Sequence, residues 1–251
     1  MLAFFFATQL TPTAYATAQP VWHRPGGLVA APFSVQLSGS ASRGEIPPYS
    51  LAQRDIAGAE LSLAWRPAAP VQLALRWGSF GARWPDGTQM IGPGDLHLST
   101  QARLVKSVGR APDLWLAWDL KLPNAAQPLG TDEADTQISL WARKSAESWT
   151  AEFGAGLWIA GHPHQLAAQD DALVMRGRAS RATGPGFLLL SGDLRLRSAR
   201  NPTSAQAGLG WEQAVADRVN IGASVDLGLS PAAPDQSLRL WVALVPGPSG
   251  T

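Results

Sequence analysis

The sequence predicts an all-β fold, a single antiparallel transmembrane β-barrel of about 12 strands. Three observations favour this class. Apolar and polar residues alternate along almost the whole chain, which is the period of a strand whose two faces meet different surroundings. Charged residues make up only 16% of the chain, against roughly 25% in an average soluble domain. The connections between the alternating segments are short and long in turn, as expected for short periplasmic turns and longer extracellular loops.

The alternation defines the individual strands. In residues 95–104 apolar Leu96, Leu98 and Leu104 are separated by polar side chains, and the same pattern runs through residues 219–229. We predict strands at residues 34–40, 57–66, 70–78, 94–106, 113–123, 135–144, 148–160, 171–181, 186–198, 203–214, 217–229 and 236–246. The longest connections between them are residues 41–56, 79–93, 124–134 and 161–170. An even number of strands places both termini on the periplasmic side.

The composition favours lipid, not water, around the apolar face. The chain has 11 Trp and 2 Tyr, and indoles of this kind form aromatic girdles at both membrane interfaces. A soluble β-sandwich with Trp in its core is the alternative. Such a fold would carry Lys and Glu on its outer face, whereas the polar faces here are rich in Gly, Ser, Ala and Gln. The membrane barrel is the better interpretation.

The remaining sequence features divide the chain into four parts. Residues 1–18 predict a signal peptide, because an apolar run from Leu2 to Phe6 precedes the small-residue pattern around Ala16. Residues 19–33 predict an N-terminal periplasmic or plug segment, since Pro and Gly interrupt any alternation there. Residues 34–246 form the predicted barrel, and residues 247–251 a C-terminal tail. The chain contains no Cys, and its net charge of +1 argues against nucleic-acid binding.

One group of motifs resembles a known family. Gly94-Asp95-Leu96 is followed by the run Leu120-Lys121-Leu122-Pro123-Asn124 and then by Leu129-Gly130-Thr131 with Asp135. These residues resemble the bacterial outer-membrane β-barrel family of transporters associated with phenol meta-cleavage degradation, and its uncharacterised relatives. Asn124 stands where that family usually has Thr. The resemblance implies a bacterial outer-membrane location, and outer-membrane lipid, the barrel-assembly machinery and an unidentified small solute as partners.

The polar faces supply candidate lumen-lining residues. They are Arg76, His97, Gln101, Arg103, Asp119, Lys121, Arg143, Glu152, Arg195, Arg197, Asp226 and Arg239. Opposite charges on neighbouring strands are expected to pair, for example Asp119 with Arg103. Such residues either form a paired wall that keeps the barrel rigid or, with a mild excess of Arg, a pore that favours anions.

Two constellations resemble sites of chemistry, and we assign neither a function. His97 and Ser99 share one strand face, as a base and a nucleophile would. They fall on the polar face and not toward lipid, however, and no orienting carboxylate or amide is identifiable nearby in sequence. His162 and His164 flank a proline in a predicted loop and are interpreted as surface histidines. We therefore predict no catalytic residue, metal or cofactor.

Three functions fit these predictions. The first is a passive outer-membrane channel or uptake protein for small solutes. The second is a structural outer-membrane barrel without transport, and the third is a soluble lipocalin-like binding protein.

Overall fold

The structure, a computed structural model, describes residues 33–45, 54–68, 70–125, 133–161, 171–184, 186–197 and 203–244. Within these residues the chain forms thirteen strands. They are β1 Phe33–Glu45, β2 Arg54–Ala68, β3 Val71–Arg83, β4 Gln89–Pro93, β5 Leu96–Val105, β6 Asp113–Leu122, β7 Asp135–Ser145, β8 Trp149–Ile159, β9 Ala172–Thr183, β10 Gly186–Arg197, β11 Ser204–Ala216, β12 Val219–Gly228 and β13 Gln236–Leu244. Within the described residues, no helix is long and apolar enough to cross a membrane.

Twelve of the thirteen strands close into one antiparallel barrel. Each pairs with its neighbour in the chain, and β1 pairs with β13 from Val35 opposite Leu244 to Arg43 opposite Gln236. Among the described strands, the remaining one, β4, pairs only with the C-terminal part of β3, opposite Ser79 to Arg83. Closure satisfies the backbone groups of both edges, which an open sheet in a membrane would leave unpaired.

The predicted strands are confirmed, with two corrections at the end of the barrel that carries the long loops. Residues 79–93 were expected to form a loop, but β3 continues to Arg83 and turns back as β4. In the turn, Thr88 donates a backbone hydrogen bond to the Asp86 carboxylate (2.9 Å), and Gly87 adopts a φ of 88°. The hydrogen bonds from Thr88 hold the pKa of Asp86 below its ordinary value. In addition, β1 extends to Glu45 and β2 begins at Arg54, which shortens the expected 41–56 loop.

Side chains alternate between an apolar outer face and a polar inner face. On β7, for example, Gln137, Ser139 and Trp141 are buried, while Ile138 and Leu140 are exposed. Large exposed apolar side chains recur in this way around the whole barrel. They include Leu37, Leu61, Trp77, Leu98, Leu116, Trp118, Ile138, Leu140, Phe153, Leu157, Leu209, Ile221, Val225, Leu240 and Val242. A continuous apolar belt of this size requires lipid around it.

The tryptophans divide between the outer and the inner face of the barrel. Trp65, Trp149 and Trp211 are exposed near the ends of strands that carry the short turns, where a girdle is expected. By contrast, Trp115 and Trp158 are buried on the inner face, 2% and 1% exposed. Part of the Trp content therefore serves the lumen and not the membrane interface.

The N-terminal predictions lie outside the described residues. These are the signal peptide and all but the last residue of the 19–33 segment. His162, His164 and the 247–251 tail also lie outside them.

Candidate functional site

The inner face of the barrel is the candidate functional site. The predicted residues Arg76, Lys121, Arg143, Glu152 and Arg195 are all buried on this face. The others with described side chains are partly exposed on the same face; they are His97, Gln101, Arg103, Asp119, Asp226 and Arg239. Arg197 ends β10 opposite Ala172, and its side chain lies outside the described part of the structure.

Asp193 joins two arginines on the inner face of β9 and β10. Its Oδ2 lies 2.6 Å from Arg176 Nε, and its Oδ1 lies 3.1 Å from Arg195 Nε. Arg176 also donates from Nη2 to Gln137 Oε1 at 3.3 Å. Because all of these side chains are largely buried, each charge has its partner where solvent screening is weak.

Glu152 joins the next two arginines. The register places it opposite Arg143 on β7 and opposite Arg178 on β9. Arg143 Nε donates to Glu152 Oε1, and Arg178 lies within electrostatic range of the same carboxylate. The Arg178 guanidinium also lies 5.7 Å from the ring centroid of Trp141, a cation–π distance.

Trp115 joins two arginines near the short-turn end of the barrel. The guanidinium carbons of Arg143 and Arg103 lie 4.9 Å and 5.6 Å from the centroid of its ring. Arg66, near the end of β2, lies within electrostatic range of both arginines. Cations stacked on an indole keep their hydrogen-bonding edges available to other groups.

A second set of charges occupies the inner face of β2, β3, β12 and β13. Arg76 Nη1 lies 3.8 Å from Glu60 Oε2, and Arg239 lies within electrostatic range of Glu60 and Asp226. Two arginines therefore face two carboxylates here. Asp226 also accepts a hydrogen bond from Ser191 Oγ at 3.2 Å. That bond passes over Gly208, where an added Cβ would lie only 1.9 Å from Asp226 Oδ1.

Lys121 connects three strands at the long-loop end. Its Nζ lies 2.8 Å from Asp135 and 3.6 Å from Asp95. Asp135 also accepts a backbone hydrogen bond from Gly161 at 2.8 Å. The side chains of all three charged residues are at least nine-tenths buried. Lys121 is therefore part of an ion-pair network that connects neighbouring strands at the long-loop end of the barrel.

Asn124 holds the start of β5 beside the end of β6. Its Oδ1 accepts from Leu96 N at 2.5 Å, and its Nδ2 donates to Gly94 O at 3.0 Å. Asp95 Oδ1 in turn accepts from the backbone of Asn124 and Ala125. Four of the motif residues, Gly94, Asp95, Leu96 and Asn124, thus meet in space as a clamp at the long-loop end of the barrel, whereas Leu129, Gly130 and Thr131 lie outside the described residues. The Asn124 amide provides both an acceptor and a donor there.

One predicted pair is wrong. Asp119 lies opposite Ser99 and accepts a hydrogen bond from its Oγ, whereas Arg103 lies opposite Trp115. Arg103 is four residues along β5 from Ser99, the residue opposite Asp119, so Asp119 and Arg103 are not cross-strand neighbours. His97 lies opposite Lys121 and Arg76 on its two sides. Among the described residues, no cluster of three His, Cys, Asp or Glu side chains that could hold a metal is present.

Sequence reasoning missed Arg176 and Arg178. On β9 the inner row runs Ala172, Val174, Arg176, Arg178 and Ser180, so it begins apolar and ends polar. The only available signal was two arginines at strand spacing, two residues apart.

Comparison with known proteins supports the fold. No protein-family model and no curated protein matches the chain. Among solved structures, the COG4313 outer membrane channel from Pseudomonas putida F1 is 11% identical with a TM-score of 0.64, covering 90% of this chain and 99% of that one. The NanC porin is 5% identical with a TM-score of 0.62, covering 84% and 98%.

A third similar structure is the translocator domain of the autotransporter NalP from Neisseria meningitidis. It is 13% identical with a TM-score of 0.53, covering 84% of this chain and 87% of that one. Together with the exposed apolar belt, these likenesses show that the chain has the fold of a bacterial outer-membrane β-barrel.

Proposed function

We propose that this protein is an outer-membrane channel through which small solutes pass passively. The observation that carries the proposal is the polar, charged inner face of a closed barrel of twelve strands. Barrels of about eight strands can be filled by their own side chains, whereas twelve enclose more space. On the inner face, Arg103, Gln101 and His97 are half-buried and Ser191 is exposed. This exposure supports a lumen that holds some water.

The similar structures support the proposal at the level of fold. Two of them are named as a channel and a porin. The resemblance to transporters associated with phenol meta-cleavage supports a small organic solute. The described residues that carry this resemblance form the clamp around Asn124, whose contacts hold strands together. We therefore propose a small solute and do not assign its identity.

We also propose that the barrel is not an enzyme. Ser99 donates its hydroxyl hydrogen to Asp119, and His97 lies between two cations. A serine that is activated by histidine donates its hydroxyl hydrogen to the imidazole, whereas Ser99 Oγ donates to the Asp119 carboxylate. Both side chains also face the lumen, away from the lipid that an acyl hydrolase of the outer membrane would act on.

The structural barrel without transport is the second candidate. One observation favours it: several inner side chains are nearly inaccessible, including Arg176 at 3% and Gln137 at 2% exposure. The soluble lipocalin-like alternative is disfavoured, because the exposed apolar belt would then lie in water.

Ion conductance distinguishes the two membrane candidates. We expect refolded protein in planar bilayers to give small, stable conductance steps and to pass small sugars in liposome swelling. A variant lacking residues 21–31 is expected to conduct more, because the Pro- and Gly-rich segment is our proposed plug. If neither protein conducts nor passes solutes, the structural barrel is the better account.

A further inference from the structure

Arg181 is a charged residue on the face of the barrel that meets lipid. It lies two residues before the end of β9, at the short-turn end of the barrel. The outer row of β9 is apolar up to this point, since Met175, Gly177 and Ala179 precede Arg181 in it. Alternation places Arg181 on this row and not with the inner Ser180. Its side chain is exposed, so a cation lies where the apolar belt ends.

Trp149 holds the guanidinium of Arg181 in place. The two residues lie directly opposite each other on β8 and β9. The guanidinium carbon of Arg181 lies 5.3 Å from the centroid of the indole, a cation–π distance. In the described part of the chain, no ion pair or hydrogen bond engages this guanidinium. Stacking therefore occupies one face of the group and leaves its donor edge for a ligand.

A second positive charge lies on the outer face beside this stacked pair. Lys144, on β7, lies opposite Ala151, which is two residues from Trp149 along β8. Its Nζ donates to three neutral acceptors, Ser107 Oγ, Gly109 O and Ala111 O. Because none of these groups carries a charge, Lys144 keeps its full positive charge while its hydrogens are all used.

The carboxylates near this end of the barrel do not neutralise the two cations. Asp113 lies opposite Arg143, on the inner face. Glu147 is exposed in the turn between β7 and β8. Within the part of the chain that the structure describes, no ion pair joins Glu147 to Arg181 or Lys144. The outer face here is therefore electropositive.

The turn between β5 and β6 adds to this positive charge. Lys144 binds the turn, and Lys106 and Arg110 are exposed in it. The turn between β11 and β12 instead holds one acid and one base, Asp217 and Arg218. Among the described residues, the excess of positive charge thus lies beside β5 to β9 and not evenly around the barrel end. A basic surface at the edge of an apolar belt attracts anionic lipid headgroups.

The outer face next to Arg181 also has room for an acyl chain. Gly177 and Ala179 lie between Phe153 on β8 and Leu190 on β10, both of which are exposed. An added Cβ at Gly177 would meet no atom within 4 Å. A shallow strip of small residues between two apolar side chains therefore leads from Arg181 into the apolar belt.

We propose that Arg181, stacked on Trp149, binds the phosphate of an anionic phospholipid at the periplasmic interface of the outer membrane. The guanidinium edge presents two parallel donors that match two phosphate oxygens. Lys144 strengthens the local positive potential without contacting the lipid. The short-turn end is the predicted periplasmic end, and phospholipids form the periplasmic leaflet of an outer membrane. The inference depends on the outer-membrane location and not on the channel function.

Native mass spectrometry of the refolded full chain in detergent tests the inference. The protein is titrated with phosphatidylglycerol and, separately, with phosphatidylcholine of the same acyl chains, whose choline offsets the phosphate charge. We expect wild type to bind its first phosphatidylglycerol about fivefold more tightly than its first phosphatidylcholine, the effect of one basic side chain on an anionic headgroup. R181Q should bind the two lipids about equally.

Arg218 supplies the matched control. It is an exposed arginine at the same end of the barrel, in the turn between β11 and β12. R218Q removes the same charge as R181Q and should keep the preference for phosphatidylglycerol. R181E reverses the charge at the site and should bind phosphatidylglycerol more weakly than R181Q does. Heat-modifiable migration on gels verifies that each variant is folded.

Three results would overturn the inference. The first is equal affinity of wild type for the two lipids, and the second is an equal loss of preference in R218Q. The third is equal phosphatidylglycerol affinity in R181Q and R181E, because the side chain would then not meet the phosphate. Displacement of the lipid by an equal concentration of inorganic phosphate would overturn the assignment to a phospholipid. None of these results bears on the channel function, which the conductance measurements test.

Discussion

Leu98 and Gln101 illustrate at the residue scale how one strand meets two solvents. Both lie on β5, but Leu98 is 40% exposed on the outer face, whereas Gln101 lies on the inner face opposite Gln72. The physical difference between the two positions is the medium that an added charge would meet. Lipid cannot hydrate a guanidinium, whereas the lumen wall already holds many.

We expect L98R to destabilise the barrel by about 2–4 kcal/mol, the cost of Arg on the lipid face near the bilayer centre, and Q101R to cost far less. The measurement is the free energy of unfolding in urea for protein folded into phospholipid vesicles. Equal losses for the two variants would contradict the assignment of faces.

Gly154 shows how the inner face makes room for its tryptophans. A Cβ at this position would lie 2.4 Å from Cδ2 of Trp141, whose Nε1 donates to Ser139 Oγ at 2.9 Å. We expect G154A to lower the free energy of unfolding by about 1–3 kcal/mol through overpacking. G177A is the control, because an added Cβ at Gly177 meets no atom within 4 Å. The prediction fails if both variants unfold at the same urea concentration.

The register sets the limit of sequence-based prediction at this scale. Strand alternation predicts which residues share the inner face, because it depends only on local spacing. It could not supply the partner of Asp119, because cross-strand neighbours depend on where each turn sets the register. The same limit hid the contacts of Arg176 and Arg178, which depend on the register of β9 with β8 and β10.

At the scale of elements, the twelve barrel strands were predictable because each carries its own apolar period. The exception is β4, the residues Gln89–Pro93, which contain both Gly and Pro and lie beyond the apolar belt. There the backbone pairing with β3 holds the strand in place, and no apolar face distinguishes it in the sequence. Pairing without burial leaves no periodic signal.

The lengths of the connections predict which end of the barrel is extracellular and which is periplasmic, and labelling tests this prediction. The turn at Thr88 belongs to the long-loop end, and Ala111 to a turn at the opposite end. The chain has no native Cys, so single cysteines report cleanly. We expect T88C to react with a membrane-impermeant maleimide on intact cells and A111C to react only after the outer membrane is permeabilised. The reverse pattern would invert the topology.

At the scale of the whole molecule, the decisive contact is the seam between the first and last strands. Nine residue pairs join β1 to β13, and the register places Leu37 opposite Val242 on the outer face. Without this seam the protein would be a twisted sheet with two exposed edges, which lipid cannot tolerate. The lumen and its charged wall therefore exist only because strands from the two ends of the chain meet.

A disulfide across the seam tests closure directly. We expect L37C/V242C to oxidise readily, since directly opposite residues of an antiparallel pair bring Cβ atoms within about 4.5–5.5 Å, and the oxidised protein to migrate faster than its reduced form after boiling. The pair L37C/L238C is the control, because Leu238 lies opposite Ala41 and is displaced by four residues along the seam. Efficient cross-linking of the control pair with no cross-linking of L37C/V242C would mean that the strands meet in another register. The inner row would then bring together different charges from those described here, and the contacts of Arg239 with the carboxylates of the second set would have to be reassigned.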